Sequence, residues 1–359
     1  MTREILLLQL GMGGVGRVLV QQVLAQRVAL ADRYNLSLSY LALVDTSAVL
    51  ATGDPLSAAL ITSALQAKQQ GQPLASLDDG RPGINWLAML PDTPCIVVDT
   101  TSADGMEAHL QTVLTDGHRV VLANKKPLTG SISAFAALTR RGTTRYEATV
   151  GAGLPILATL QSLLDTGDSV TRIEASLSGT LGYLCTALQE ATPLSEAVRT
   201  ARSRGWTEPD PRDDLSGMDV ARKALILART CGLEWEMQHV PATAWFPAER
   251  ATLSVDAFME HLPELDAEYA ARCAHASVAG NVLRYVATLE LGDEPAAAIA
   301  LRELPADHPL AALRGTDNLF VFTTRRYSTP PLMVRGPGAG TEVTAAGVLA
   351  DIIATAREM

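Results

Sequence analysis

Short apolar runs separated by helical patterns organise the first part of the chain. Ile5–Leu10 is long enough for a buried strand and too short for a helix. Further strand-like runs occur at Leu38–Val44, Cys95–Val98 and Arg119–Ala123. A helical pattern at Glu107–Leu114 separates the last two of these runs. This alternation is typical of a parallel sheet with helices on both faces. We therefore predict a doubly wound α/β domain over residues 1–145.

The pattern changes from Tyr146 onwards, where helical and strand signals mix without regular alternation. The segments that define this part are the glycine-rich Val150–Gly153, a strand pattern at Arg172–Leu177, a helical pattern over 180–205, a polar loop at Gly205–Leu215 and a helix from Met218 to about Thr230. We predict a second, α+β domain over 146–335. A C-terminal segment, 336–359, contains an alanine-rich helical pattern at Thr344–Arg357.

Composition and charge argue against several classes of protein, among them nucleic-acid-binding and membrane-spanning proteins. Hydrophobic residues make up 47% of the 359 residues, and the formal net charge of −10 disfavours a nucleic-acid partner. No apolar run approaches the roughly 18 residues of a membrane helix, and the N-terminal residues show no leader pattern. The cysteines lack metal-ligand spacing, and we expect them to be reduced in a cytoplasmic protein: Cys95, Cys185, Cys231 and Cys273.

A glycine motif follows the first apolar run directly. Gly11, Gly13 and Gly16 form G-x-G-x-x-G between a strand and a helical pattern, within the run Gly11-Met12-Gly13-Gly14-Val15-Gly16. The first glycine permits a tight turn, the second lets a pyrophosphate approach the backbone, and the third lets helix and strand pack closely. The free N–H groups of the helix N-terminus favour phosphate binding. This context predicts a Rossmann-type dinucleotide site rather than a purely structural turn.

Asp45, at the end of the second strand pattern, has two interpretations. It could accept hydrogen bonds from the adenosine ribose hydroxyls and repel a 2′-phosphate, which would favour NAD over NADP. It lies 29 residues beyond Gly16, however, whereas the usual spacing is about 20. We attribute the excess to a longer first helix and a loop around Ala31–Ser37. In the alternative interpretation, Asp45 caps the turn at Thr46-Ser47.

The most informative run extends from Gly205 to Lys223. It places five carboxylates within twelve positions, on a loop that two prolines stiffen: Glu208, Asp210, Asp213, Asp214 and Asp219. Such a concentration of negative charge indicates a cationic ligand, and the ammonium group of an amino acid would suffice. Ser216 and Asp219 resemble a capping box, which predicts a helix start at about Gly217. Asp219 and Lys223 then share one helical face, either as an exposed ion pair or as part of a pocket.

Two lysines follow another strand pattern, in Ala123-Asn124-Lys125-Lys126. Ligands bind at the carboxyl edge of open α/β sheets, so we assign Lys125 to the site and Lys126 to a solvated loop. The run Asp99-Thr100-Thr101-Ser102 ends the preceding strand and is expected at the same edge.

Three further segments complete a family resemblance: Glu147–Pro155, Ser178–Tyr183 and Gly336–Gly340 followed by Val343–Val348. Together with the run above, the chain resembles homoserine dehydrogenase along essentially its whole length. The resemblance implies reversible, NAD(P)-dependent interconversion of L-homoserine and L-aspartate 4-semialdehyde in threonine, methionine and isoleucine biosynthesis. It also implies a homodimer formed through the second domain.

The resemblance implies roles for individual residues. Lys223 matches the acid/base, and Lys125 matches a second lysine near the nicotinamide and the substrate oxygen. Glu208 matches the residue that binds the α-ammonium group, and Asp219 matches a substrate-binding carboxylate that orients Lys223, with Asp214 supporting the same pocket. The cofactor-binding set comprises Gly11–Gly16, Asp45, Thr100, Thr101, Ser102, Ala123, Lys125, Gly205 and Gly340. A sodium site would use mainly backbone carbonyls of Glu147, Val150, Ala152 and Leu154.

Two other functions are open to a chain with this sequence, and the chain differs from many members of the family in one respect. An aspartate-semialdehyde dehydrogenase would need a nucleophilic cysteine, and no cysteine lies in a glycine-rich nucleophile turn. A non-catalytic NAD-binding sensor should lack the acid/base residues, which are all present. Many relatives carry a C-terminal regulatory domain, whereas this chain ends soon after Ala346-Gly347. We therefore expect no built-in threonine site.

Overall fold

The computed structural model describes residues 2–359 and divides into two compact units. The first unit contains residues up to Gly153 and returns with Gly340–Met359, and the second contains Leu154–Ala339. The first unit has the strands β1 Arg3–Leu10, β2 Leu36–Val44, β3 Val49–Leu50, β4 Gly80–Arg81, β5 Ile96–Asp99, β6 Arg119–Leu122 and β7 Thr144–Arg145. The second has β8 Val170–Ser176, β9 Asn281–Glu290, β10 Ala296–Pro305, β11 Asp317–Thr324 and β12 Leu332–Pro337.

The helices divide between the same two units. Those of the first are α1 Gly14–Tyr34, α2 Ala58–Gln69, α3 Glu107–Thr115, α4 Lys126–Thr129, α5 Ile132–Thr139 and, at the end of the chain, α13 Thr341–Glu358. Those of the second are α6 Ile156–Asp165, α7 Gly179–Gln189, α8 Leu194–Ser203, α9 Pro211–Leu215, α10 Met218–Thr230, α11 Val255–His261 and α12 Asp266–Val278. Short 3-10 helices connect several of these elements.

A seven-stranded sheet in the order β4-β3-β2-β1-β5-β6-β7 forms the first unit. The strands from β2 to β7 in this order pair in parallel, and the two-residue strands β3 and β4 extend one edge in antiparallel fashion. Leu7 and Leu8 are both fully buried, although successive side chains of a strand point to opposite faces. Both faces of the sheet are therefore covered, which confirms the predicted doubly wound class.

The first helix explains the long spacing between the glycine motif and Asp45. α1 has 21 residues, and Asn35 ends it in the left-handed conformation, so that β2 begins at Leu36. The Asn35 backbone N–H bonds the carbonyl of Ala31, one of the last acceptors of the helix. The loop expected around Ala31–Ser37 is therefore wrong, because the end of α1, the one-residue cap Asn35 and the first two residues of β2 occupy that span.

The second unit is built on a sheet in the order β10-β9-β8-β11-β12, all of whose pairs are antiparallel. Helices α7, α10 and α12 pack against β9. The helical pattern over 180–205 corresponds to two helices, α7 and α8, because Pro193 cannot continue α7 and instead precedes α8. The polar loop at Gly205–Leu215 contains the short helix α9, with Pro211 at its first position.

The structure divides the chain eight residues later than the change in sequence pattern. Residues 146–153 belong to the first unit, where the backbone N–H of Glu147 donates to Asp351 of α13 (2.8 Å). A Cβ on Gly153 would lie 2.1 Å from the carbonyl oxygen of Val343. Contacts with the returning helix, which are distant in sequence, therefore hold this segment in the first unit. Within residues 2–359, no helix is long and apolar enough to cross a membrane.

Candidate active site

The glycine motif forms the turn between β1 and α1. Gly11 has φ +96°, a value that L side chains rarely adopt. A Cβ on Gly16 would lie 2.1 Å from the carbonyl oxygen of Gly11, whereas a Cβ on Gly13 would meet no atom within 4 Å. Gly16 therefore allows close packing of the helix against the strand, and Gly13 leaves open space above the N-terminus of α1. That open space is where the motif predicts a pyrophosphate.

Gln9 holds the shape of this turn and was missed by sequence reasoning. Its side chain is completely buried, and its Nε2 donates to the carbonyls of Gly11 (3.0 Å) and Gly16 (2.9 Å). The Tyr40 hydroxyl donates to Gln9 Oε1 at 3.1 Å. A polar residue inside the apolar run Ile5–Leu10 was the available signal, because a buried amide requires partners.

A cleft of about 650 Å³ lies beside the glycine turn, within the size range of small-molecule sites. Its lining includes Gly11, Gly13, Asp45 and the Thr100–Ala103 loop. Thr100 Oγ1 donates to the Leu10 and Gly11 carbonyls, at 2.9 and 3.0 Å. The glycine turn and the Thr100 loop thus form one surface at the carboxyl ends of β1 and β5.

Asp99 and Asn124 fix the loops at this edge of the sheet. Both are buried, and burial raises the pKa of Asp99 despite hydrogen bonds from Thr101 and Asn124. Asn124 Nδ2 donates to Asp99 Oδ2 (3.1 Å) and to the Ala103 carbonyl (2.9 Å). Asn124 is a positioning residue that the sequence reasoning did not single out.

The carboxylate of Asp45 is occupied by protein donors. Oδ1 accepts from the Ser47 N–H (2.8 Å), the Ser47 hydroxyl and the Ala48 N–H (3.1 Å). Oδ2 accepts from Lys68 Nζ (2.7 Å) and the Leu74 N–H (3.1 Å). Burial acts to raise the pKa of Asp45, but bonds from Lys68, Ser47 and Leu74 outweigh it and hold the pKa at about 2. This geometry matches the turn-capping interpretation.

The two lysines after β6 have different environments. Lys125 precedes α4 and is half-buried, and its carbonyl accepts from the Leu128 N–H (3.0 Å). Lys126 forms an exposed ion pair with Asp104, with Nζ and Oδ2 2.7 Å apart. The Lys126 side chain is 37% exposed, but the residue begins α4 and therefore does not lie in the predicted loop.

Lys223 lies in the second unit, on the face of α10 that turns inward. Its ammonium group lies 2.7 Å from Asp219 Oδ2 and donates to the Leu177 carbonyl, just after β8, at 2.8 Å. The Lys223 side chain is 11% exposed and that of Asp219 is 43% exposed. The pair is therefore not a fully solvated ion pair, because the Lys223 side chain is largely buried and its ammonium group also donates to a backbone carbonyl.

The start of α10 differs from the expected capping box. The helix begins at Met218, and Gly217 is its N-cap with φ +73° and no side-chain cap. Ser216 Oγ accepts only from the Met218 N–H, at 3.2 Å. A Cβ on Gly217 would lie 2.0 Å from the Tyr285 hydroxyl. The capping-box prediction is wrong, since close packing against Tyr285 of β9 selects glycine at the cap.

The acidic run separates into structural and accessible carboxylates. Arg212 Nη2 lies 2.6 Å from Asp210 Oδ2, and both side chains are partly buried. The cation that neutralises Asp210 is therefore Arg212, a residue of the same run, and not a ligand. Asp214 Oδ2 accepts from the Glu208 N–H (2.9 Å). Burial raises the pKa of Asp214, against opposing hydrogen bonds from Glu208 and Thr180. Glu208 itself is exposed, so Asp214 shapes the loop that presents it.

The loop also depends on Thr180, at the start of α7. Its hydroxyl donates to the Trp206 carbonyl at 2.6 Å, and Trp206 packs edge-on against Tyr183 with ring centroids 5.0 Å apart. Gly205 follows Arg204, the C-cap of α8, and has φ +68°; its N–H donates to the Arg202 carbonyl. These contacts connect the first turn of α7 to the loop that carries Glu208.

The residues assigned to a sodium site lie around the end of the first unit. Glu147 and Asp351 are both buried. Burial raises the pKa of Asp351 to about 7, and the charge of Glu147 acts in the same direction. Ala152 has φ +58°, and Gly151 has φ +82°. The charge of Arg145 opposes the rise in the pKa of Asp351. No cluster of three acidic, histidine or cysteine ligands occurs in residues 2–359, and the sodium site stays a prediction.

None of the cysteines has the environment of an activated nucleophile. All are free thiols, and burial raises the pKa of Cys95, Cys185 and Cys231 to about 12 and also raises that of Cys273. A catalytic thiol requires a lowered pKa. The acyl-enzyme chemistry of the semialdehyde dehydrogenase alternative therefore has no candidate residue.

Comparison with known proteins identifies relatives of this chain. The chain is 39% identical over 350 residues to the bifunctional aspartokinase/homoserine dehydrogenase 1, chloroplastic, of Zea mays, a match covering 96% of this chain and 37% of that protein. It therefore spans less than half the length of this relative. It is also 41% identical over 284 residues to the homoserine dehydrogenase of Emericella nidulans, covering 75% of this chain and 77% of that one.

A solved structure shares the fold. A hyperthermophilic archaeal homoserine dehydrogenase in complex with NADPH has a TM-score of 0.74 and 23% identity, over 99% of both chains. The family model described as homoserine dehydrogenase matches residues 155–353, which include the Lys223 helix and the loop of Glu208. On the strength of this match and the two sequence relatives, the chain belongs to the homoserine dehydrogenase family.

Proposed function

We propose that this protein is an NAD(P)-dependent homoserine dehydrogenase, which interconverts L-homoserine and L-aspartate 4-semialdehyde. The observation that carries the proposal is the fixed position of Lys223. An ammonium group has three N–H donors, and Asp219 and the Leu177 carbonyl engage two of them. The third is then available to a substrate oxygen.

Lys223 would act as the acid and base of the reaction. During aldehyde reduction it donates a proton to the carbonyl oxygen as negative charge develops there. In the reverse direction the neutral amine accepts the hydroxyl proton, while the C–H bond breaks and the C=O bond forms. The bound nicotinamide cofactor supplies or accepts the hydride. Asp219 keeps the lysine oriented and its charge compensated, and Lys125 is assigned as the second lysine of the reaction.

Substrate recognition is assigned to the acidic loop. Glu208 is exposed and positioned through its backbone by Asp214, so its carboxylate is available to the α-ammonium group of the substrate. Charge-assisted hydrogen bonds of this kind are shorter and stronger than neutral ones. The amino-acid character of the substrate follows from this site rather than from the nucleotide-binding motif.

The cofactor would bind along the cleft beside β1 and β5. Its pyrophosphate would lie over Gly13 at the N-terminus of α1, and the Thr100–Ser102 loop and Ala123 would line the same edge, with Gly205 and Gly340 as further contacts. A sodium ion held by carbonyls of Glu147, Val150, Ala152 and Leu154, a homodimer formed through the second unit, and a cytoplasmic location complete the proposal.

The direct test is absorbance of the reduced nicotinamide with L-homoserine as substrate. We expect homoserine-dependent reduction of the cofactor by the wild type and its loss in Lys223→Ala. Far-UV circular dichroism and NADPH binding would establish that the variant is folded. No turnover by a folded wild-type protein that binds the nucleotide would contradict the assignment and favour a non-catalytic sensor.

A further inference from the structure

We infer that Arg212 is a positioning residue that fixes the distance between Glu208 and Lys223, and that it thereby makes the site selective for the length of the substrate. This rests on the proposed function, in which Glu208 binds the α-ammonium group and Lys223 binds the oxygen at the other end of the substrate. Neither of these two residues determines their separation by itself. That separation depends on α9, the five-residue helix between the loop of Glu208 and α10.

Helix α9 connects the two ends of the substrate site. On one side, Asp214 of α9 accepts a hydrogen bond from the Glu208 N–H (2.9 Å). On the other side, only two residues separate α9 from the start of α10, and one of them, Gly217, donates its N–H to the Asp214 carbonyl (3.0 Å). A shift or tilt of α9 would therefore move Glu208 relative to Lys223.

A helix as short as α9 is not stable on its own, so tertiary contacts must hold it in place. Pro211 and Leu215 bury one face of the helix. The Leu215 carbonyl accepts from the Trp245 N–H (2.9 Å), which holds the last turn. The first turn is held by the side chain of Arg212.

The guanidinium group of Arg212 donates in two directions. Nε and Nη2 bind the carboxylate of Asp210, the N-cap of α9, at 3.0 and 2.6 Å. Nη1 donates to the carbonyls of Ala251 (2.9 Å) and Leu253 (2.6 Å), in the segment that precedes α11. The Arg212 side chain is only 14% exposed, so water competes little for these bonds. Arg212 therefore clamps the first turn of α9 to backbone 39 and 41 positions further along the chain.

The contacts at this position select arginine. A guanidinium group holds its donors in a rigid planar fork, whereas the ammonium group of a lysine is a compact point charge. A lysine could bind Asp210 or the two carbonyls, but it could not bridge them with the same geometry. The Arg212 Cζ also lies 5.5 Å from the ring centroid of Phe258 in α11, within the range of a cation–π contact.

A fixed separation between two binding groups selects the length of the molecule that bridges them. When the ammonium group of a substrate lies on Glu208, one additional methylene displaces its hydroxyl group from Lys223. Binding sites discriminate about 10- to 200-fold against one extra or missing methylene, and a displacement of about 1 Å at the reacting atoms can cost about 100-fold in rate. A mobile α9 would accommodate either length and lose this discrimination.

The test compares the oxidation of L-homoserine with that of its five-carbon homologue, L-2-amino-5-hydroxypentanoate, by the wild type, Arg212→Lys and Arg212→Gln. We expect the wild type to prefer homoserine in kcat/KM by about tenfold or more. Arg212→Gln should lower kcat/KM about 10- to 100-fold for homoserine but less than about threefold for the homologue, and Arg212→Lys should lie between it and the wild type. A merely structural defect would lower both substrates in proportion and leave their ratio unchanged.

Hydrogen exchange measures the clamp without any turnover. In Arg212→Lys the Gly217 N–H, which donates to the Asp214 carbonyl at the end of α9, should exchange about tenfold faster than in the wild type, because local opening of α9 is easier. The N–H of Leu225, in the middle of α10, should exchange at the same rate in both proteins.

Arg199→Gln is the matched control. Arg199 is an exposed arginine of α8, and its Nη2 donates to the Met259 carbonyl of α11 (3.2 Å). It therefore also ties a helix to backbone near α11, but it makes no contact with α9 among those of Arg212. Its loss should change neither the ratio of the two substrates nor the exchange of the Gly217 N–H.

Proportional losses for the two substrates in the Arg212 variants, or no loss in either variant, would overturn the inference. So would unchanged exchange of the Gly217 N–H in Arg212→Lys. If Arg212→Gln does not fold, the charge-retaining lysine variant decides on both measurements. A folded wild type that oxidises neither substrate would contradict the proposed function, and the exchange measurement would then decide by itself whether Arg212 clamps α9.

Discussion

The ammonium group of Lys223 lies 2.7 Å from the carboxylate of Asp219, one helical turn earlier in α10. The helix alone would place these side chains on one face, but the Leu177 carbonyl, 2.8 Å from the same Nζ, gives the lysine one position. General acid/base catalysis requires a proton-transfer group held in position, and these two contacts hold the ammonium group of Lys223.

Replacing Asp219 by asparagine should lower kcat for homoserine oxidation about 10- to 100-fold, because the amide keeps the shape but removes the charge that orients Lys223. NADPH affinity should change little. Steady-state kinetics and nucleotide titration measure the two effects. Asp213→Asn, an exposed acid of the neighbouring helix α9, should behave as the wild type. Unchanged kcat in Asp219→Asn would exclude the orienting role.

Glu208→Gln should raise KM for homoserine about tenfold or more, because a charge-assisted hydrogen bond to the α-ammonium group is lost. Asp214→Asn should also raise KM, because Asp214 positions the backbone of Glu208 (2.9 Å). The two effects should not add in the double variant, since both act through one carboxylate. Full additivity in initial-rate measurements would show that Asp214 acts independently.

Two glycines of one motif should respond differently to alanine. Gly13→Ala should fold normally, because a Cβ there meets no atom within 4 Å, but it should weaken NADPH binding about tenfold or more by filling the space over the helix N-terminus. Gly16→Ala should reduce thermal stability, because its Cβ would lie 2.1 Å from the Gly11 carbonyl oxygen. Calorimetry and nucleotide titration distinguish the two. Equal destabilisation by both would contradict the division of roles.

The Asp45 carboxylate should make stability depend on pH in the acid range. Its pKa is lowered from 3.8 to about 2, so its contribution is present above pH 4 and is lost as the pH falls from about 4 towards 2. The difference corresponds to about 2 kcal/mol. Asp45→Asn should therefore be less stable than the wild type in urea at pH 7, with a gap that narrows below pH 4. The exposed Asp54→Asn should show no such gap.

Gly217→Ala should destabilise the second unit by about 2–4 kcal/mol, because it combines a positive φ with a Cβ 2.0 Å from the Tyr285 hydroxyl. Tyr285→Phe removes the clashing oxygen and a hydrogen bond to the Thr243 carbonyl (2.8 Å), and alone it should cost about 1 kcal/mol. In the double variant, part of the loss from Gly217→Ala should be recovered. Urea unfolding measures all three, and strict additivity would show that the hydroxyl is not the obstacle.

Much of the fold was predictable because the signals are local. Strands β1, β5 and β6 and helices α3 and α10 follow from runs and periodicities of four to thirteen residues. The glycine motif predicted its own turn, since left-handed backbone and close packing leave few alternatives to glycine. The family resemblance likewise depends on contiguous segments, such as Gly205–Lys223, and needs no coordinates.

Where sequence reasoning failed, contacts distant along the chain decided the outcome. The capping box at Ser216 is absent because Tyr285, 68 positions after Gly217, requires a glycine at the cap. Residues 146–153 belong to the first unit because α13 returns to hold them. Neither contact leaves a trace in local periodicity.

The fold class, the family and the identity of the chemical groups could all be predicted from the sequence, because they depend on residue types at short spacing. The contacts of those groups depend on how distant parts of the chain pack together in the folded protein. Asp45, placed at a strand end by its pattern, is compensated by Lys68 from α2, 23 positions away, and Lys223 is fixed by a carbonyl 46 positions earlier. Hydrogen bonds and charge compensation depend on distances of about 3 Å, and only the folded chain sets such distances.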